Sequence, residues 1–260
     1  MILGGKTVIV SGVGPGLGGE VARCAARDGA NVVIGARRAA RLEALAAELD
    51  PDGKRVAAHA FDIVDPASCE GLVAFAERRF GGVDALVQVA ALDTVFGGLE
   101  TATPEDWRRV MDVNVIGTTQ LCRAVAPALR RRGGGSIVLI GSQSALLATT
   151  GRMLAYAASK GALLSAMVQM VVELGPHRIR VNTVVPTWMW GPPVQGFVER
   201  QAKERGVPAE TVKAELVRRF PLGEIPADED VAELAVLLCS DRTRMITGQA
   251  VRVDGGESVM

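Results

Sequence analysis

Tyr156 and Lys160 stand four residues apart in the run Tyr156-Ala157-Ala158-Ser159-Lys160. On a helix that spacing stacks both side chains on one face. A free tyrosine has a pKa of about 10, too high for useful proton transfer at neutral pH. An ammonium beside the phenol favours the phenolate and lowers that value. The pair therefore reads as a tuned general acid/base. The same spacing also fits an ordinary helix surface, so its weight depends on what surrounds it. A second group lies near the start of the chain, Ser11-Gly12-Val13-Gly14-Pro15-Gly16-Leu17-Gly18. Its glycines let the backbone turn tightly and approach a pyrophosphate, which then meets the positive end of the following helix. A glycine-rich turn without a ligand is the alternative; a strand before and a helix after favour a nucleotide.

Strand and helix patterns alternate along all 260 residues. That rhythm is the signature of one doubly wound α/β domain, residues 1–260, with a mostly parallel, seven-stranded sheet. Strands are expected at 8–10, 32–34, 56–61, 83–89, 137–140, 179–185 and 251–253. The β-branched run Val8-Ile9-Val10 suits burial on both faces. Helices are expected at 19–28, 39–49, 67–80, 104–131, 155–174 and 228–238. Thr103 is read as the N-cap of the fourth, with Pro104 in its first turn. Residues 186–226 break the rhythm; their charged part, 199–219, is read as helical.

Hydrophobic residues are 48% and charged residues 22%, a balance that argues against disorder. Net charge is zero, which gives no bulk attraction to nucleic acid or anionic membrane, and neither is expected as a partner. Cys24, Cys69, Cys122 and Cys239 are scattered among apolar residues, and His59 and His177 have no ligand-like spacing. Buried free thiols and no metal site follow. The apolar run at 161–172 is read as too short and too polar to cross a bilayer. With no signal-peptide pattern at the N-terminus, a cytoplasmic protein is expected.

The glycine loop resembles the T-G-x-x-x-G-x-G pattern of the short-chain dehydrogenase/reductase family, with Ser11 for the threonine. The resemblance spans essentially the whole chain. It includes Asn114-Val115-Ile116-Gly117, the stretch 181–186, and Ile246-Thr247-Gly248-Gln249 followed by Val253-Asp254-Gly255-Gly256. It implies a Rossmann-type fold, an NAD(P)-dependent oxidoreductase acting on an alcohol or ketone, and a homotetramer or dimer. It implies Asn114, Ser142, Tyr156 and Lys160 as catalytic residues. Tyr156 would pass the proton, Lys160 would lower its pKa and bind the nicotinamide ribose, Ser142 would steady the substrate oxygen, and Asn114 would hold a water linking Lys160 to solvent. Ser144 is the alternative to Ser142. Cofactor contacts are implied at Gly12, Gly14, Gly16, Leu17, Gly18, Asp62, Ile63, Ala90, Tyr156, Lys160, Pro186 and Thr187. Two departures stand out: Gln88-Val89-Ala90-Ala91 where the family often has N-N-A-G, and Thr187 directly after Pro186 where it usually has glycine.

The second strand ends in Gly35-Ala36-Arg37-Arg38 with no carboxylate to bind a ribose 2′-hydroxyl. Arg37 can take a 2′-phosphate in a bidentate contact, so NADP(H) is expected over NAD(H), with solvated helix-start arginines as the alternative. Trp188, Met189 and Trp190, with Leu146, Leu147, Met153 and Leu154, could wall an apolar pocket for a hydrophobic, alicyclic or steroid-like substrate. The tryptophans fit a subunit interface equally well. Residues 186–226 would then form the substrate lid. A catalytically silent nucleotide sensor or scaffold on the same fold is the competing reading.

Overall fold

The computed structural model describes residues 1–148 and 153–259. Its strands are β1 (Thr7–Ser11), β2 (Asn31–Ala36), β3 (Val56–Ala60), β4 (Ala85–Gln88), β5 (Gly135–Ile140), β6 (Ile179–Pro186) and β7 (Ala250–Val253). They form one sheet in the order β3-β2-β1-β4-β5-β6-β7, every neighbouring pair parallel. The order reverses between β1 and β4, and the carboxyl ends of these two strands flank the crevice where such sheets bind ligands. This is a single Rossmann-type α/β domain.

Residues along each inner strand alternate between two cores, as a period of two demands. Val8, Val10, Val32, Ile34, Val138 and Ile140 face one layer, with α1 (Leu17–Arg27), α2 (Ala39–Leu49) and α9 (Asp228–Cys239). Ile9, Val33, Ile137 and Leu139 face the other, with α3 (Pro66–Phe80), α5 (Thr118–Arg131) and α6 (Leu154–Leu174). Both faces are therefore dry, which is why these strands read as continuous apolar runs.

Two helices differ from expectation. The helix expected over 104–131 begins as read, with Thr103 and Asp106 in a reciprocal capping box at α4 (Pro104–Met111). It then widens into a π-helical turn, Asp112–Gly117, before α5. Such turns recur at functional sites, and this one carries Asn114. The charged stretch 199–219 divides into α7 (Pro192–Arg205) and α8 (Ala209–Val217), with Gly206 in the left-handed region ending α7. The apolar run at 161–172 lies within the helix expected at 155–174, found as α6 (Leu154–Leu174). The helical stretch Leu154–His177 is long and apolar enough to cross a membrane by length and composition. Here it lies against β6, with Ala155, Ser159, Lys160, Leu163 and Met167 buried.

Candidate active site

The glycine loop leaves β1 and folds over the end of β4. Gly12 has φ 80°, and a Cβ there would overlap the backbone nitrogen of Ala90. Gly18 is similarly tight: an added Cβ would meet Val13 Cα at 2.9 Å. Gly14 opposes this crowding, since an added Cβ would meet nothing within 4 Å. The loop is thus pressed onto the sheet at two glycines and open to solvent at a third. Leu17 and Gly18 are the first residues of α1, so their amides lack intrahelical acceptors and carry the positive end of the helix dipole. This cradle fits a pyrophosphate. Asp62 and Ile63 follow β3; Asp62 Oδ1 accepts from the Val64 amide at 3.2 Å, and Ile63 is buried. Arg37 lies exposed just past β2. The departure at Gln88 preserves a structural tie. Its carboxamide accepts from Ser11 Oγ and donates to Thr118 Oγ1 at 2.9 Å, linking β1, β4 and α5.

Tyr156 and Lys160 occupy successive turns of α6. Ser142 follows β5, and its hydroxyl acts on the Tyr156 phenol, holding its pKa down. Ser144 stands behind it, donating from Oγ to Ser142 Oγ at 2.9 Å. Ser142 is therefore the serine that faces the tyrosine.

The electrostatics differ from the simple expectation of a depressed tyrosine. Burial pushes Tyr156 up to about 12, partly opposed by Ser142 and reinforced by the charge on Asp93. The Lys160 ammonium does not reach the phenol oxygen to offset this. It donates to the Ile140 carbonyl at 2.7 Å, and its Nζ lies 5.6 Å from the Tyr156 ring centroid. Burial also pushes Lys160 down to about 8, with Asp93 working the other way. Both groups are poised, yet the protein alone does not ionise the phenol.

Asn114 is 1% exposed. Its Oδ1 accepts from the Leu92 amide at 2.6 Å, while Nδ2 donates to the Leu92 carbonyl at 3.2 Å and to Ser159 Oγ at 3.0 Å. Ser159 in turn donates to the Tyr156 carbonyl at 2.7 Å. The side-chain amide is thus committed to joining the loop after β4 to α6. It makes no direct contact with Lys160, so a link to that lysine does not run through these bonds.

Thr187, Trp188 and Trp190 follow β6, and their side chains have defined partners. Thr187 donates its hydroxyl to Glu257, and Arg219 reaches the other carboxylate oxygen of Glu257 at 2.5 Å. The Thr187 hydroxyl is therefore directed at the C-terminal turn, which departs from a carboxamide contact. Trp190 packs on the small core of Val198, Ala202 and Val212, with Lys213 Nζ 4.5 Å from its ring. Trp188 meets Phe197 in a tilted contact, ring centroids 5.1 Å apart. Both tryptophans pack on residues of the segment that holds α7 and α8. A cavity of about 240 Å³ lies at the ends of β5 and β6, lined by Gln143, Leu147, Ala148, Arg219 and Glu257. Asp93, Gln143 and the Arg219–Glu257 pair escaped sequence reasoning. They sit in loops, and only a fold brings them to the site.

Comparison with known proteins identifies the family. The family model described as enoyl-(acyl carrier protein) reductase matches residues 12–258. The dehydrogenase/reductase SDR family member 4 of Pongo abelii is 34% identical over 98% of this chain and 88% of its own. The chain belongs to the short-chain dehydrogenase/reductase family. D-beta-hydroxybutyrate dehydrogenase of Cupriavidus necator is another member, 30% identical over 98% of both chains. Among solved structures, a short-chain type dehydrogenase/reductase from Mycobacterium ulcerans superposes with TM-score 0.90 at 29% identity, covering 100% of this chain and 92% of that one. An actinorhodin polyketide ketoreductase variant solved with NADPH superposes with TM-score 0.88 at 28% identity, covering 98% of each. The protein is accordingly an NAD(P)-binding oxidoreductase that acts on a small molecule.

Proposed function

We propose that this short-chain dehydrogenase/reductase interconverts a secondary alcohol and a ketone, with NADP(H) as its preferred cofactor. The observation that carries the reading is the gathering, past the carboxyl end of β5, of the Tyr156 phenol, the Ser142 hydroxyl that acts on it, and the buried Lys160 ammonium 5.6 Å from the tyrosine ring. Gly12, Gly14, Gly16, Leu17 and Gly18 would hold the diphosphate. Asp62, Ile63 and Ala90 would line the adenosine side, and Pro186 and Thr187 the nicotinamide side. The dinucleotide supplies or accepts the hydride. Tyr156 gives a proton to the carbonyl oxygen in reduction and takes it back in oxidation. Ser142 orients that oxygen. Lys160 supplies positive charge near the phenol and would bind the nicotinamide ribose. Asn114 fixes the turn of α6 that carries Tyr156, and a water chain to Lys160 would pass along this side.

The substrate we favour is hydrophobic, alicyclic or steroid-like. Leu146, Leu147 and Leu154 remain partly exposed beside the site and support an apolar contact. Residues 186–226 would close over it as the lid. We also propose a homotetramer or dimer. Ile116 in the π turn and Val168 and Val172 on α6 form exposed apolar surface on the long helices. Four buried free thiols support a reducing, cytoplasmic setting.

The cofactor preference has a direct test. Arg37 is exposed, and no carboxylate lies between Gly35 and Arg38 to repel a 2′-phosphate. Arg37→Asp should weaken NADPH binding by about tenfold or more and leave NADH binding intact, read as the ratio of dissociation constants. An unchanged ratio overturns the assignment.

A further inference from the structure

Asp228 is the first residue of α9, far from every motif above, yet its side chain lies against the glycine loop. Gly191 has φ −116°, a backbone conformation open to any residue, so its lack of a side chain is a matter of space. A Cβ at Gly191 would overlap Asp228 Oδ2. The same oxygen would lie 3.4 Å from a Cβ at Gly16, the residue that leads into α1. One carboxylate oxygen thus sits between the diphosphate loop and the segment where β6 passes into the lid. Burial raises the Asp228 pKa, and Glu20 on α1 raises it further; no cation contributes. Nearby Arg27, also on α1, is engaged with Glu233 at 2.6 Å and Glu229 at 3.6 Å.

A pyrophosphate seated on the amides of Leu17 and Gly18 would meet this acid at short range. Like charges in a partly dry site repel strongly, and a proton on the carboxyl removes the repulsion and adds a donor. We propose that Asp228 is a residue of the dinucleotide site and that the dinucleotide binds with uptake of one proton at its carboxyl. This rests on the reading of the glycine loop as the diphosphate site. Asp228 then sets how tightly the dinucleotide is held at a given pH, a role the glycine motif alone does not contain.

The test is a titration of the purified full chain with NADPH and with NADH, followed by nicotinamide fluorescence, at about pH 6 and about pH 8. ADP, which carries a diphosphate without nicotinamide, is titrated by competition. Wild type should bind all three several-fold more weakly at the higher pH. Asp228→Asn should bind several-fold tighter than wild type at the higher pH and lose most of the pH dependence. Asparagine keeps the shape of the side chain; if that variant does not fold, Glu20→Gln should show a smaller change of the same sign. A helix-capping role for Asp228 would alter Tm and leave the dissociation constants alone. An Asp228→Asn protein that binds more weakly, or with the wild-type pH slope, overturns the proposal. So does an effect on the dinucleotides that ADP does not share, since the carboxylate would then act on the nicotinamide half. A wild type that binds no dinucleotide or ADP at either pH overturns the glycine-loop reading itself and this proposal with it.

Discussion

The glycine loop meets Ala90 through main-chain atoms, whereas Tyr156, Ser142 and Lys160 are brought near one another as side chains carried on α6 and on the loop after β5. The backbone of the first region is in place in the protein alone. Gly12 and Gly18 are already packed against their neighbours, Gly14 is open, and the amides at the start of α1 need no rearrangement to face an anion. The second region is assembled but not yet tuned. Its phenol is pushed up to about 12, and its lysine is turned to the Ile140 carbonyl. A backbone cradle needs no side-chain partner to hold it in place, because it follows from how β1 and α1 join. A buried acid/base pair must wait for a charge or hydrogen-bond partner to complete its field. Binding and chemistry should therefore fail separately when each region is altered.

Tyr156→Phe gives the largest effect on chemistry. Turnover of any accepted ketone should fall by ~10²–10⁴, the range for loss of a general acid, while dinucleotide affinity and Tm stay near wild type. A parallel loss of dinucleotide affinity would mean that the two regions are not separable. Gly12→Ala is the converse. It places a side chain at φ 80° and against Ala90, so dinucleotide binding should weaken by about tenfold or more, with a stability cost of at least ~1–2 kcal/mol. Equilibrium titration beside a denaturant melt checks both. The smallest effect is expected in the segment 186–226. Trp190→Ala removes packing on Val198, Ala202 and Val212, so KM for a ketone should rise several-fold with dinucleotide affinity unchanged. A change in oligomer size with constant KM would instead place Trp190 at a subunit contact.

These differences also account for what could be read from residues alone. Alternating dry strands leave a two-sided apolar signature, so the sheet, its parallel sense and most helix limits were legible from runs such as Val8-Ile9-Val10 and from the Thr103 cap. The glycine loop was legible because only glycine tolerates its geometry. The π turn at Asn114 was not, since one widened turn of six residues is too short to show a period of its own between two ordinary helices. The polar side of the site was also hidden. Asp93, Glu257 and Asp228 are ordinary loop or helix-start acids until tertiary contacts set them against Lys160, Thr187 and Gly16. The tryptophans were read as pocket or interface because both roles use aromatic surface; their packing inside the lid depends on the break between α7 and α8.

Tyr156 is the single tyrosine in the chain, so tyrosinate absorbance reports its ionisation without mutation. The titration should be made on the protein alone and on the protein saturated with oxidised dinucleotide. The account predicts that the phenol stays protonated well past its ordinary value of 10 in the protein alone, towards about 12, and that its titration moves down when the dinucleotide is bound. A tyrosinate that forms near neutral pH in the protein alone, or a titration unmoved by saturating dinucleotide, would contradict the claim that the cradle is ready and the acid/base pair is completed only on binding.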